Sequence, residues 1–229
     1  MARATKEDIA RRFRGYFPVA VDVETGGFDP DTDALLEIAA VILGVDREGM
    51  WYPTETHACH VMPFAGARLE PAALEFNRID PHHPFRFAVS EREALQTIFQ
   101  PVRKVLRETG CTRAVLVGHN PCLDIAFLNA AVKRTGVKRN PFHPFTTFDT
   151  ATLGALMFGQ TVLARAVQAA GLSWDSREAH SAAYDAMRTA ELFCAVVNGC
   201  PAWPVTDQEK RQASEQERVS DNPIGSGVS

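Results

Sequence analysis

The sequence predicts an α/β domain built on a mixed five-stranded sheet flanked by helices. Short runs rich in β-branched residues dominate the front of the chain. Later runs alternate with stretches whose apolar residues recur at helical three-and-four spacing, and Gly, Pro and Asp mark the breaks between them.

The first strand is read over residues 18–23, a β-branched run that follows a proline, and the second over 35–45. A third is expected at 56–64, a fourth at 113–117 and a short fifth at 146–148. Helical spacing of apolar residues predicts helices over 91–109, 122–134, 162–170 and 181–197. Residues 206–229 are rich in Gln, Glu, Ser and Gly and hold almost no large apolar side chain, so burial cannot repay their ordering entropy. They are expected to form a disordered tail behind one folded domain over 1–205.

A chain of 229 residues, 45% hydrophobic and 23% charged, suits one compact domain and leaves little room for a second. No apolar run is long enough to span a bilayer, and the charged N-terminus lacks an apolar signal core, which predicts a cytoplasmic protein with no membrane partner. Five cysteines without a C-x-x-C pair indicate neither a disulfide framework nor a thiolate zinc site, so they are expected to be reduced and buried. A net charge of -4 argues against indiscriminate coating of polyanions, although local basic clusters can still hold phosphates.

Within Val21-Asp22-Val23-Glu24-Thr25-Gly26-Gly27 the two acids lie two apart on a strand, so both side chains point to one face. The glycines behind them allow a sharp turn and close approach of another backbone. An isolated D-x-E usually decorates a solvated face. In Gly118-His119-Asn120-Pro121-Cys122-Leu123-Asp124, Asn120 suits an N-cap and Pro121 the first helical position, placing Asp124 in the first turn of a helix. Alone, such an acid would merely favour the helix dipole. His180 and Asp185 open the last long helix, where Asp185 has the same bland reading. The set taken together points elsewhere. A hard cation such as magnesium prefers oxygen ligands, and a two-metal site needs several carboxylates around ions about 4 Å apart. Asp22, Glu24, Asp124 and Asp185 meet that need. A histidine, whose ordinary pKa is near neutral, can take a proton from the attacking water, the role suited to His180.

These residues, in this order and approximate spacing, resemble the DEDD exonuclease superfamily, histidine subclass, which implies a ribonuclease H-like fold. A closer resemblance, to the ribonuclease T family, runs over nearly the whole chain before the tail. It rests on Arg12-Phe13-Arg14-Gly15, the D-x-E strand, Thr32-Asp33-Ala34-Leu35-Leu36-Glu37-Ile38-Ala39-Ala40 and Lys138-Arg139-Asn140-Pro141-Phe142-His143-Pro144-Phe145. The resemblance implies a homodimeric 3'-to-5' exoribonuclease that trims single-stranded 3' ends of stable RNAs, including transfer RNA, and can also degrade single-stranded DNA. It implies two Mg2+ ions per site, with Mn2+ as a substitute, and an antiparallel second strand.

Single-stranded nucleic acid is held by aromatic stacking and by cationic contacts to phosphate. Phe28, Phe76 and Phe145 match aromatics that the family wedges against terminal bases; for any one of them core packing is the ordinary alternative. Arg12 and Arg14, together with Lys138 and Arg139, match clusters that the family uses to grip substrate across its dimer, though a solvated face would explain the same charges. Lys133 and Arg134 belong to the second cluster in sequence. The chain departs from the family at Leu123, where another stacking aromatic is typical, and at Ala72, where an acid is typical.

Other features read as bland. His57 and His60 point to opposite faces of a strand, His82 and His83 sit in an exposed turn, and Trp51, Trp174 and Trp203 are packing residues. The alternative function is the proofreading 3'-5' exonuclease subunit of a DNA polymerase, which would carry a polymerase-binding segment after the nuclease domain. A catalytically idle binding module would lack at least one of the five motif residues, and none is missing.

Overall fold

The computed structural model describes residues 6–200. The expected tail over 206–229 and the domain end at 205 lie outside those residues, as does Trp203.

The strands are Tyr16–Thr25 (β1), Leu35–Val45 (β2), Trp51–His60 (β3), Arg113–Gly118 (β4) and Phe142–Asp149 (β5), and they form one sheet in the order β3-β2-β1-β4-β5. Strand β2 runs antiparallel to β1 and β3, whereas β1, β4 and β5 are parallel. The sheet is therefore mixed, with the second strand reversed. Central β1 reads as a continuous apolar run because it is covered on both faces: Val19, Ala20 and Val21 are fully buried.

Strand β1 extends two residues beyond expectation at each end, β3 stops at His60 rather than 64, and the starts of β3 and β5 differ most. β3 begins at Trp51 rather than 56, because the chain leaves β2 at Val45 and pairs Val45 directly with Trp51. This is an edge strand whose polar residues hide its start. β5 gains Phe142 to Phe145, whose two flanking prolines, Pro141 and Pro144, obscured the strand.

Four helices match: Glu91–Thr109 (α3), Cys122–Thr135 (α4), Leu163–Ala169 (α6) and Ala182–Gly199 (α7). Three more were not legible: Lys6–Arg12 (α1), Pro71–Asn77 (α2) and Thr150–Phe158 (α5). The first two are only two turns long, too short to show a period, and α5 is apolar nearly all round. Helix α3 starts at a capping box in which Ser90 and Glu93 satisfy each other's backbone amides.

Helix α7 packs across β1, β2 and β3. Its outer end is fixed by Asn198, which accepts from the Trp51 amide at 2.8 Å and donates to the Trp51 carbonyl at 2.9 Å. Phe193 stacks on Phe148 with centroids 5.6 Å apart, and Phe13 fills the corner against Trp51 at 5.6 Å. Each side chain buried in this way stabilises by roughly 1.5–3 kcal/mol. The packing holds the far end of α7, so its N-terminus is presented to the sheet at a fixed place.

Cysteines were expected to be buried. Cys111 and Cys194 are, Cys59 and Cys200 are half-buried, and Cys122 is exposed at the start of α4. All five are free thiols.

Candidate active site

The site forms where three elements meet. Asp22 and Glu24 lie two apart on β1, Asp124 stands in the first turn of α4, and Asp185 in the first turn of α7. Pairing of β1 with β4 ends at Ala20 and Val117, while β1 continues against β2 alone to Thr25. The Val23 amide would then be orphaned, and the Asp124 carboxylate accepts from it at 3.0 Å. Gly118 makes this approach possible, since a Cβ there would lie 2.8 Å from Pro121 and 3.3 Å from Asp124 Oδ2. Pro121 occupies the N-cap rather than the first helical position, and Asn120 adopts φ +63°, so Asn120 does not cap α4. Its amide instead donates to Asp149 at 3.0 Å.

His180 precedes α7 with φ +67°, a conformation that non-glycine residues rarely adopt and that recurs at functional sites. Its backbone amide donates to Asp185 Oδ2 at 3.1 Å. Ligand atoms of Glu24, His180 and Asp185 all lie within 4.8 Å of one another. Asp185 Oδ1 is buried and has no hydrogen-bond partner. Glu24 and Asp124 are buried and Asp22 is half-buried.

Burial raises every acid of the set, and repulsion between carboxylates adds to it at Asp22 and Glu24. Burial is the largest cause at Glu24, with Asp185, Glu37 and Asp124 adding repulsion, and its pKa rises to about 8. Burial lifts Asp124 to about 7 even though the Val23 amide favours its charged form. Asp22 is raised well above its ordinary value, first by burial and then by the Asp124, Asp185 and Glu24 charges. Asp185 is raised by burial, opposed by the His180 amide and imidazole. Four acids that repel one another, one with an orphaned oxygen, need a cation to be ionised together. The donor set fits hard divalent metal ions with oxygen ligands.

The three aromatics proposed from sequence are surface residues: Phe28 is 84% exposed, Phe145 77% and Phe76 65%. Core packing is thereby excluded for them. Phe76, near the end of α2, has its ring centroid 4.3 Å from that of His180. Phe145 packs edge-on against His143 at 4.5 Å.

An exonuclease family of the ribonuclease T type matches residues 19–193, a span holding all four acids and His180. Ribonuclease T of Hahella chejuensis is 59% identical over 193 residues, covering 84% of this chain and 88% of that protein. The chain belongs to the ribonuclease T exonuclease family. It is accordingly a 3'-to-5' exonuclease, a hydrolase of phosphodiester bonds that depends on divalent metal. Solved structures at low identity show the shared fold. A 3'-exonuclease described as recognising the 3' end of histone mRNA stem-loop aligns with TM-score 0.62 at 16% identity, over 82% of this chain and 67% of that one. E. coli Exonuclease I, crystallised with a dT13 oligonucleotide, aligns with TM-score 0.57 at 15% identity; the match covers 90% of this chain and 44% of Exonuclease I. The sheet is thus the ribonuclease H-like one that the sequence implied.

The family's basic positions divide on inspection. Arg14, Lys138 and Arg139 are exposed, while Arg12 is half-buried and reaches the Val197 carbonyl at 3.4 Å. Arg134 is not a free cation: it pairs with buried Glu91 at 2.7 Å, donates to the Pro30 carbonyl at 2.7 Å and covers the Phe64 ring at 4.2 Å. That internal role overturns its reading as a surface contact. Arg103, which sequence reasoning missed, holds the 138–139 turn by donating to the Lys138 and Arg139 carbonyls, both at 2.7 Å. Burial and the Arg139 and Arg107 charges lower its pKa, marking a dense positive patch of residues far apart in sequence.

Glu37 was also missed as a site residue. It lies opposite Glu24 in the β1–β2 ladder, accepts from the Ala182 amide at 3.3 Å and contacts His60 at 2.9 Å. It thus links β2 to the first turn of α7. Its signal in sequence was slight, a lone acid inside an apolar strand. The two strand histidines have separate carboxylate partners, His57 with Glu55 at 3.1 Å and His60 with Glu37. Leu123 is half-buried against the core and Ala72 is exposed.

Proposed function

We propose that this member trims single-stranded 3' ends of structured RNAs, transfer RNA among them, and can also degrade single-stranded DNA. The observation that carries the reading is the convergence of Glu24 and Asp185 on His180, which the exposed Phe76 ring contacts, with one buried carboxylate oxygen left unpartnered. The 59% identical relative named Ribonuclease T supports RNA as substrate.

Asp22, Glu24, Asp124 and Asp185 would hold two Mg2+ ions, with Mn2+ able to substitute. When bound, such a pair supplies water activation and compensation of the charge that develops at the scissile phosphate. His180 takes the proton of the attacking water on its imidazole, and the Asp185 contact to its amide keeps the ring over the cluster. Phe28, Phe76 and Phe145 stack on terminal bases; a paired base keeps its faces covered, so a duplex end is refused. Lys138 and Arg139, with Arg12 and Arg14, bind phosphates, and we place them across a homodimer from the acids they serve. The protein works in the cytoplasm.

End-labelled single-stranded and hairpin RNAs, with and without magnesium, test this reading. Metal-dependent shortening from the 3' end, stalling near the stem, is expected. Shortening from the 5' end, internal cutting, or equal rates in chelator would overturn it.

A further inference from the structure

Among the described residues, two buried carboxylates lie outside the metal site: Glu91, which pairs with Arg134, and Asp33. Asp33 is 4% exposed, and no chemistry in the site uses it. Its Oδ2 accepts from the Asp29 amide at 2.9 Å, its Oδ1 accepts from the Thr32 hydroxyl at 3.0 Å, and Arg68 Nε lies 3.9 Å away. All these bonds serve one turn, residues 26–32, whose apex presents Phe28 to solvent.

The turn is tied at every side. The Gly26 amide donates to the Ala34 carbonyl and its carbonyl accepts from the Glu70 amide, both at 2.7 Å, and the Thr25 hydroxyl donates to the Gly27 carbonyl at 2.6 Å. Gly27 is required for close approach: a Cβ there would stand 2.1 Å from Asp33 Oδ2. From the other limb Arg134 donates to the Pro30 carbonyl, and Arg134 belongs to α4, the helix that carries Asp124. Phe28 is therefore held in register with both the D-x-E strand and the Asp124 helix.

We infer that Asp33 is a positioning residue for terminal-base recognition: its carboxylate packs against Gly27 and fixes the turn, so that Phe28 meets the last base without being ordered on binding. The inference rests on the reading of Phe28 as a stacking residue. A preorganised side chain saves the affinity otherwise lost in immobilising it and its loop. Without the carboxylate, the Asp29 amide loses its partner and the apex is free to move, while the acid cluster is left as it was.

A double-mutant cycle tests this, by fluorescence anisotropy of a labelled single-stranded oligonucleotide in an Asp185→Asn background with chelator present. Phe28→Ala is expected to weaken binding by ~5- to 150-fold. Asp33→Ala is expected to weaken it by roughly 3- to 10-fold, and the double variant by no more than Phe28→Ala alone. Losses that multiply in the double variant, or full affinity in Asp33→Ala, overturn the positioning role while leaving stacking intact. Full affinity in Phe28→Ala overturns both. If Asp33→Ala does not fold, Gly27→Ala decides in its place, because its methyl displaces the same carboxylate: loss that vanishes in the Phe28→Ala background supports the role, and unchanged binding refutes it. Asp33→Asn, which keeps an acceptor for the Asp29 amide, is expected to restore most of the affinity; a loss equal to that of Asp33→Ala contradicts the account.

Discussion

Replacing Glu24 by Gln is expected to stabilise the metal-free protein while abolishing hydrolysis. Glu24 titrates at about 8 against an ordinary 4.5, chiefly because it is buried and then because Asp185, Glu37 and Asp124 repel its charge. At about 1.4 kcal/mol per pKa unit, ionising Glu24 in the folded protein is opposed by at most about 5 kcal/mol. Neighbouring acids take up protons in turn, so roughly 1–3 kcal/mol is a fair expectation for the variant. The sign follows from linkage. A group whose pKa is raised by folding lends its stability below the unfolded value and loses it as pH climbs through the folded value. Variant and wild type should therefore melt together near pH 4.5 in chelator and separate by pH 8–9, the variant melting higher by roughly 2–12 °C for a domain of this size. Magnesium should reverse the order, since it binds and stabilises only the chain with its full set of acids. Calorimetric melts across pH, with and without magnesium, provide the measurement. A Glu24→Gln protein that melts below wild type at pH 8 without metal would refute the argument, because it would mean the carboxylate is satisfied by the protein itself.

Asp22→Asn, Asp124→Asn and Asp185→Asn should each lose nearly all hydrolysis with the fold retained, checked by gel assay beside circular dichroism; near wild-type turnover in any of them removes that residue from the ligand set. His180→Ala should lose ~10²- to 10⁴-fold in turnover with oligonucleotide affinity preserved, so a loss confined to binding would require another base. Mixing Asp22→Asn chains with chains carrying Lys138→Ala and Arg139→Ala should restore part of the activity if substrate is gripped across a dimer; no restoration despite mixed dimers counts against sharing. Leu123→Phe, beside Asp124, should change the relative rates on substrates that differ only in their last base, and an unchanged profile would show Leu123 to be packing alone.

Much of this site is legible in the sequence. Asp22 and Glu24 declare themselves because strand geometry forces residues two apart to one face, and Asp124 and Asp185 because a helix start limits where the first turn can point. Phe28 was legible from the turn around it, which gives a large apolar side chain no core to face. The hidden part is what long-range contact alone reveals. Glu37 looks like an interruption in an apolar strand until the β1–β2 register sets it against Glu24. Arg134 looks like one of four surface cations until α3 supplies Glu91. Arg103 lies on α3, far along the chain from the 138–139 turn it supports. Short helices such as α2 escape because seven residues are too few to show a period, yet α2 is what carries Phe76 to His180.

The topology explains why the acids can meet at all. Pairing of parallel β1 with β4 stops at Ala20 and Val117 while β1 runs on against β2 to Thr25, so the backbone groups of its last residues that face away from β2 lack a strand partner. Asp124 exploits that defect by capping the Val23 amide, so one of its oxygens is spent on structure. Asp185 likewise gives one oxygen to the His180 amide, and the other is left bare. The two acids that come from helices are thus fixed by backbone amides, and the two from β1 by the strand itself. Among the described residues, no lysine or arginine forms an ion pair with any of the four. A lysine or arginine partner would lower the pKa of these acids and steady the metal-free fold, but it would also occupy the oxygens and cancel the charge that draws a divalent ion. The cluster is best understood as repulsion kept in place by a rigid backbone, and the fold tolerates it because the aromatic corner around Phe13, Trp51 and Phe193 anchors α7 from its other end.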